Sequence, residues 1–254
     1  MLGSKWTIDV GYIKKVVADT KILGVDDNGT ACSKRFHSPI YALNELSSSI
    51  RYRDIQQFRV YLAAFGTSLF SDANTNRQLE TVHNMIFGSP KESVARKSTS
   101  DYVFNHPIPG FQDFVDSYIN SGKNKRAMMT SRNPLAKIVA EIFGLEILAV
   151  NDTPVENGVY LAPRITIKTG NDKERAVSEG LKKNRLSYED LLYVGDGNKD
   201  IETGLKAKHF WASPEANKGV KERADFIVRD YRPIAEIINR ITKDSQHKMP
   251  LLQI

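Results

Sequence analysis

Ile22-Leu23-Gly24-Val25-Asp26-Asp27-Asn28-Gly29-Thr30 is an apolar run of strand length that stops on two aspartates and a Gly-containing turn. The run reads as a buried strand. In an open α/β sheet the carboxyl ends of the strands are where ligands sit. A carboxylate held there can act as a nucleophile or as a metal ligand. The same arrangement returns far along the chain, where Leu191-Leu192-Tyr193-Val194 runs into Gly195-Asp196-Gly197-Asn198-Lys199-Asp200. Two acidic loops at strand ends, widely separated in sequence, predict one shared divalent-cation site.

Working outward, apolar strands alternate with helical patterns, which predicts a parallel sheet covered on both faces. Phe111, Phe114, Val115, Tyr118 and Ile119 recur at helical spacing behind Pro109-Gly110. Ala127 to Thr130 reads as a short strand, and Ser131-Arg132-Asn133 leads into Pro134, a favourable first helical residue. Leu135, Ile138, Val139 and Ile142 line one helix face, with Gly144 as its stop. Leu145 to Val150 returns as a strand. Asn151 to Gly170 reads as an irregular excursion, with Asn157-Gly158 as a turn. A helix is expected over 172–183, further strands at His209 to Ala212 and Asp225 to Val228, and a last helix over 234–241. Residues 1 to 20 read as an added helix or a contact arm. From about Ser33 to His106 there is no regularly spaced strand, only helical patterns around 53–65 and 76–87. This predicts a helical insert over the carboxyl edge of the sheet, dividing the chain into a core of residues 1–34 and 106–254 and a cap of residues 35–105.

At 254 residues, 41% hydrophobic and 26% charged, the chain has the composition of a folded globular protein rather than a disordered one. It has no apolar run long enough for a membrane span and no secretory signal. The single cysteine, Cys32, excludes an internal disulfide. It reads as a small core residue in a reducing, cytoplasmic setting. The net charge of +6 permits attraction to anions such as phosphate esters or nucleic acid. The short basic clusters at 123–126 and 182–185 read as solvated helix ends or loops. No zinc-finger spacing or aromatic-rich RNA-binding motif is present.

A carboxylate can attack phosphorus and form an acyl phosphate that water then hydrolyses. Such a site needs a nucleophile, a hard cation, hydroxyl or backbone donors for the phosphoryl oxygens, and a fixed positive side chain. Asp26 is the candidate nucleophile. Asp196 is the candidate metal carboxylate, with Asp200 supporting it from the next turn. Thr130, with Ser131 and Arg132 behind it, ends a strand where donors face an anion. Lys173 opens the following helix, with Lys168 as a rival for its role.

Asp26-Asp27-Asn28-Gly29-Thr30, then Met128-Met129-Thr130, then Lys173, then Gly195-Asp196-Gly197-Asn198-Lys199-Asp200, in this chain order, resemble the motifs of the haloacid dehalogenase-like hydrolases, in the branch similar to phosphoserine phosphatase. The resemblance covers roughly residues 20 to 240. It implies a Rossmann-like parallel-sheet core with a helical cap inserted after the first strand. It also implies Mg²⁺ held by Asp26, by the backbone carbonyl of Asn28 and by Asp196, with Thr130 and Lys173 binding the phosphoryl group of a small phosphorylated substrate.

One position departs from the pattern. Family phosphatases carry Asp two residues after the nucleophile, where it protonates the leaving group and then activates water. Here that residue is Asn28. A carboxamide cannot exchange a proton in that way, which removes help worth roughly 10²–10⁴-fold. The chain is then a slow phosphatase or phosphotransferase, a phosphoryl-binding protein that has lost turnover, or a form deliberately slowed by substitution. Asp27 should point away on strand alternation. His37, Glu80 and His83 are the candidates for a substitute acid–base group from the cap. Arg35, Arg51, Arg53 and Arg59 could contact the rest of an anionic substrate. A nucleic-acid end phosphatase ranks third, behind a phosphohydrolase and a regulatory phosphoryl-binding protein.

Overall fold

The computed structural model describes residues 8–27, 29–33, 92–132, 136–152, 154–160, 164 and 166–247. Asp9 caps the first helix, α1 (Val10–Asp19), its carboxylate accepting from the Tyr12 N–H at 3.1 Å. β1 (Ile22–Val25) follows. After α2 (Glu92–Asn105) come α3 (Phe111–Asn120), β2 (Arg126–Ser131), α4 (Ala136–Ile142) and β3 (Glu146–Val150). A small antiparallel hairpin joins β4 (Val155–Glu156) to β5 (Val159–Tyr160). Asn157 and Gly158 both take positive φ, 50° and 74°, at its turn, as the Asn-Gly pair predicts. Then come α5 (Gly170–Lys183), β6 (Leu191–Gly195), α6 (Ile201–Gly204), β7 (His209–Ala212), α7 (Lys218–Lys221), β8 (Phe226–Ile227) and α8 (Arg232–His247).

Six strands form one parallel sheet in the order β3-β2-β1-β6-β7-β8. The expected α/β class and parallel sheet are what the chain folds into. Side chains alternate across the strands, so the sheet separates two cores. Leu23, Val25, Leu192 and Val194 pack with α1, α3, α4 and α8. Ile22, Met128, Leu191 and Tyr193 pack with α5 and α7 on the other face. The strand order reverses between β1 and β6, which opens a crevice at their carboxyl ends.

The chain leaves and rejoins this core at one place. Cys32 bridges Pro107 in antiparallel fashion, the Ser33 N–H donates to the His106 carbonyl at 2.9 Å, and the Ile108 N–H donates to the Ala31 carbonyl at 3.2 Å. The helical patterns at 53–65 and 76–87, together with Arg35, His37, Arg51, Arg53, Arg59, Glu80 and His83, lie outside the described residues. α2 falls within the expected insert and packs on α4, with Arg96 bonded to Glu141.

Two expectations are corrected by tertiary contacts. In the 123–126 cluster Lys123 and Asn124 are exposed as a solvated loop would be, but the Lys125 ammonium donates to the carbonyls of Val17 and Thr20 and lies over the Tyr118 ring, 5.3 Å from its centroid. Arg126 pairs with Glu146 across β2 and β3. The last helix is also longer than its apolar stripe, running to His247. Cys32 is buried, as expected of a small core residue. Among the described residues no helix is long and apolar enough to cross a membrane.

Candidate active site

The carboxyl ends of β1 and β6 are in register through Val25 and Val194, so Asp26 and Asp196 emerge side by side in the crevice. Oxygen atoms of Asp26, Asp196 and Asp200 lie within 4.8 Å of one another. Lys173 reaches them from the first turn of α5. Its ammonium donates to Asp26 Oδ1 at 2.6 Å and to Asp200 Oδ1 at 2.6 Å, and the side chain is almost completely enclosed. α5 is fixed there by a reciprocal cap: the Asp172 N–H donates to Thr169 Oγ1, and the Thr169 N–H donates to Asp172 Oδ2. Lys168 does not approach Asp26 in this way. The residue is exposed, and its carbonyl accepts from Arg132 and Lys199.

Asp200 is held from every side. Oδ2 accepts from the Asp196 N–H at 3.0 Å and the Gly197 N–H at 2.9 Å. Oδ1 accepts from Lys173 and from the Tyr193 phenol at 2.8 Å. These donors decide which carboxylate keeps its charge. Burial works to raise the Asp200 carboxyl, but Lys173 and the hydrogen bonds outweigh it and hold the group below its usual value. Asp26 goes the other way: burial pushes it well above the usual range, Lys173 pulls it down, and Asp200, Asp27 and Asp196 push it up again. Burial also opposes the charge on Lys173, yet Asp200 and Asp26 carry it well above an ordinary lysine.

Gly29 makes the approach of the two acidic loops possible. It sits at φ +74°, and a Cβ there would lie 2.5 Å from Asp196 Oδ2. Asn28 lies outside the described residues. Thr130 is fully buried. Its hydroxyl lies 3.0 Å from the Tyr193 phenol and 3.3 Å from the Val25 carbonyl, directly beneath Asp26. The neighbouring Ser131 hydroxyl projects to the opposite side and donates to Asp27 Oδ1 at 2.6 Å. Asp27 is thus buried beside Asp26 with its carboxylate turned to Ser131, away from the Lys173 side as strand alternation predicts. The structure therefore brings Asp26, Thr130, Lys173, Asp196 and Asp200 into one constellation, with Ser131 and Arg132 at its edge.

Tyr193 is the member that sequence reasoning missed, because a tyrosine inside an apolar run reads as core. Gly24 was the available signal. A Cβ at Gly24 would lie 2.9 Å from Leu191 Cδ1 and 3.2 Å from Tyr193 Cδ2, so glycine in β1 gives the ring its room.

Three carboxylates, of Asp26, Asp196 and Asp200, cluster about the Lys173 ammonium, with Asp27 buried beside them. The excess negative charge and the all-oxygen donor set suit a hard divalent cation such as Mg²⁺. Both Asp200 oxygens already hold donors, so Asp26 and Asp196 are the better placed ligands. The Thr30 hydroxyl, at the end of the same loop, is buried without a hydrogen-bond partner among the described residues.

No family model and no curated protein matches this chain. Solved structures do. Phosphoserine phosphatase in its apo form matches with a TM-score of 0.59 at 18% identity, over 85% of this chain and 98% of that one. A phospho-aspartyl intermediate analogue of phosphoserine phosphatase matches with a TM-score of 0.58 at 18% identity, over 86% and 98%. A HAD-family hydrolase from Salmonella enterica serovar Typhi matches with a TM-score of 0.61 at 11% identity, over 94% and 83%. The fold is that of the haloacid dehalogenase-like hydrolases, in the form shared with phosphoserine phosphatase.

Proposed function

We propose that the chain is a Mg²⁺-dependent phosphohydrolase that acts on a small phosphorylated molecule through an aspartyl-phosphate at Asp26. The observation that carries this reading is the Lys173 ammonium, buried and bonded to Asp26 and Asp200 together, with Asp196 in the same cluster. A carboxylate with no catalytic duty gains nothing from this placement at a strand end beside three other acids.

Asp26 attacks phosphorus with one carboxylate oxygen. The P–O bond to the ester oxygen breaks, and the alcohol leaves after taking a proton. Water then attacks the acyl phosphate, releasing inorganic phosphate and restoring the carboxylate. Lys173 holds Asp26 in position and offsets charge on the transferring oxygens. Asp200 fixes Lys173. Asp26 and Asp196, with the Asn28 carbonyl that the family resemblance implies, would hold Mg²⁺, which when bound would supply charge neutralisation for the phosphoryl group. Asn28 can hydrogen-bond the leaving oxygen but cannot protonate it, so protons come from solvent and good leaving groups are favoured. Residues 35–105 form the cap that selects the substrate. Single, buried Cys32 supports a reducing, cytoplasmic setting.

Exposure of the full chain to beryllofluoride with Mg²⁺, followed by mass spectrometry or ¹⁹F NMR, should place the adduct on Asp26. Failure to label Asp26 and to turn over any phosphate ester would defeat the reading. Asn28 favours a second one, a phosphoryl-binding protein that has lost turnover. In that case phosphate ligands bind, but the chain hydrolyses nothing until Asp replaces Asn28.

A further inference from the structure

Among the described residues, two cations at the rim of the crevice have no negative partner. Arg132 follows β2 directly, and its Nη1 donates to the Lys168 carbonyl at 3.3 Å. Lys199 lies in the short turn Asn198–Asp200, and its Nζ donates to the same carbonyl at 3.2 Å. One neutral oxygen thus holds both groups, no farther apart than the sum of those two bonds. Both side chains are half-buried. Among the described residues neither meets a carboxylate, whereas Arg126, Lys137, Arg175 and Arg232 each do.

Like charges gathered in a partly dehydrated place repel one another. Burial, then Arg132 and then Lys173, lower the Lys199 ammonium to about 8. Lys173 already has two carboxylates of its own, so its charge is matched. The pair at the rim is not. The three segments that converge here are those that carry Thr130, Lys173 and Asp200. The rim pair therefore faces whatever lies next to a phosphoryl group bound on Asp26.

We propose that Arg132 and Lys199 form a second anion subsite, so that the substrate is a phosphate ester bearing a further anionic group, a carboxylate or a second phosphate, close to the first. The proposal rests on the phosphohydrolase reading for the first phosphoryl position and adds what the remainder of the substrate must carry. An anion bridging the two cations would replace the shared carbonyl with charge-assisted hydrogen bonds.

The test is calorimetric binding to the full chain with Mg²⁺ in excess, at physiological ionic strength. Methylphosphonate is compared with phosphonoacetate and methylenebisphosphonate. The doubly anionic ligands should bind at least about tenfold more tightly than methylphosphonate, the factor expected of one charge-assisted hydrogen bond. Which of the two gains more identifies carboxylate or phosphate as the second group. Lys199→Met should remove most of that gain and leave methylphosphonate affinity unchanged, and Arg132→Met should likewise remove most of the gain. Lys183→Met, which removes an equal charge from the exposed far end of α5, should leave the gain intact.

Equal affinities in the wild-type chain would overturn the proposal. So would a loss in Lys183→Met as large as in Lys199→Met. Beryllofluoride labelling of Asp26 separates the two ideas. Labelling without discrimination between the ligands sinks the rim subsite alone. Discrimination without labelling or turnover sinks the phosphohydrolase reading and leaves an anion-binding rim.

Discussion

Tyr193 and Lys173 share a single acceptor: the phenol donates to Asp200 Oδ1 at 2.8 Å and the ammonium donates to the same oxygen at 2.6 Å. The phenol also touches the Thr130 hydroxyl beneath Asp26. Strand β6 thereby braces from below the cation that α5 brings in from the side. Tyr193→Phe keeps the ring that Gly24 accommodates and deletes only the oxygen. It leaves one acceptor site at Asp200 without its partner, while the Thr130 hydroxyl keeps only the longer bond to the Val25 carbonyl at 3.3 Å. Unfolding in urea should show a loss of about 1–3 kcal/mol. With a phosphate ester, kcat should fall while KM stays near wild type, since the brace acts on Lys173 and not on the substrate.

Lys173 stands between two carboxylates in a place closed to water. Its replacement by Met leaves those charges facing each other. Breaking a buried pair of this kind costs about 3–5 kcal/mol. The loss should be largest in chelator-treated protein, and Mg²⁺ should recover part of it, because a cation bound by Asp26 and Asp196 offsets the same charge. Thermal denaturation with and without Mg²⁺ measures both. Phosphoryl uptake at Asp26 should disappear in either condition.

Asn28→Asp restores an ionisable group two residues beyond the nucleophile. Steady-state hydrolysis should rise by roughly 10²–10⁴-fold, and the aspartyl-phosphate should become correspondingly shorter-lived in a quench experiment. An unchanged rate would mean that proton transfer does not limit the reaction at this position.

Gly29→Ala places a methyl group 2.5 Å from Asp196 Oδ2 on a backbone at φ +74°. Strain of this kind costs of order 1–3 kcal/mol. The variant should lose stability and, by prying the two acidic loops apart, weaken Mg²⁺ binding in a calorimetric titration. Loss of stability with intact Mg²⁺ affinity would show that Asp196 is not a ligand.

The cap of α5 gives a pH dependence. The Thr169 hydroxyl and N–H, with smaller help from the Lys168 N–H and Arg175, hold the Asp172 carboxyl below its usual 3.8. A lowered carboxyl stabilises the fold fully above the usual value and loses that contribution as pH falls through the lowered one. Water reaches this side chain, so the effect is modest, up to about 1 kcal/mol. Asp172→Asn should be less stable than wild type near pH 7, and the difference should shrink as pH falls below the usual 3.8 and through the lowered value.

Much of this was legible because strand ends and turns have strong local signatures. Asp26 and Asp196 announce themselves by following apolar runs, and Asn157-Gly158 by its turn chemistry. Lys173 was distinguishable from Lys168 as a residue at a helix start. What stayed hidden depends on partners that are distant in sequence. Lys125 reads as a loop lysine until the carbonyls of Val17 and Thr20 are beside it. Tyr193 reads as core until Asp200 folds back over it. Lys199 sits inside an acidic motif, so its link with Arg132 shows only when both reach the Lys168 carbonyl. The direction of the Thr130 hydroxyl, down toward Tyr193, follows from sheet alternation once the strand register is known.

The pairing of Ala31 and Ser33 with Ile108 and His106 closes the core beneath the insert as a clasp closes a bag. The chain between those two short segments begins and ends at one spot, and its last part, α2, is tied back to the core by Arg96 on Glu141. A change of length between Ser33 and Glu92 can therefore be absorbed without shifting the register of β1 with β2 or β6, whereas a transplant joined at Ser33 and His106 must also supply a partner for Glu141.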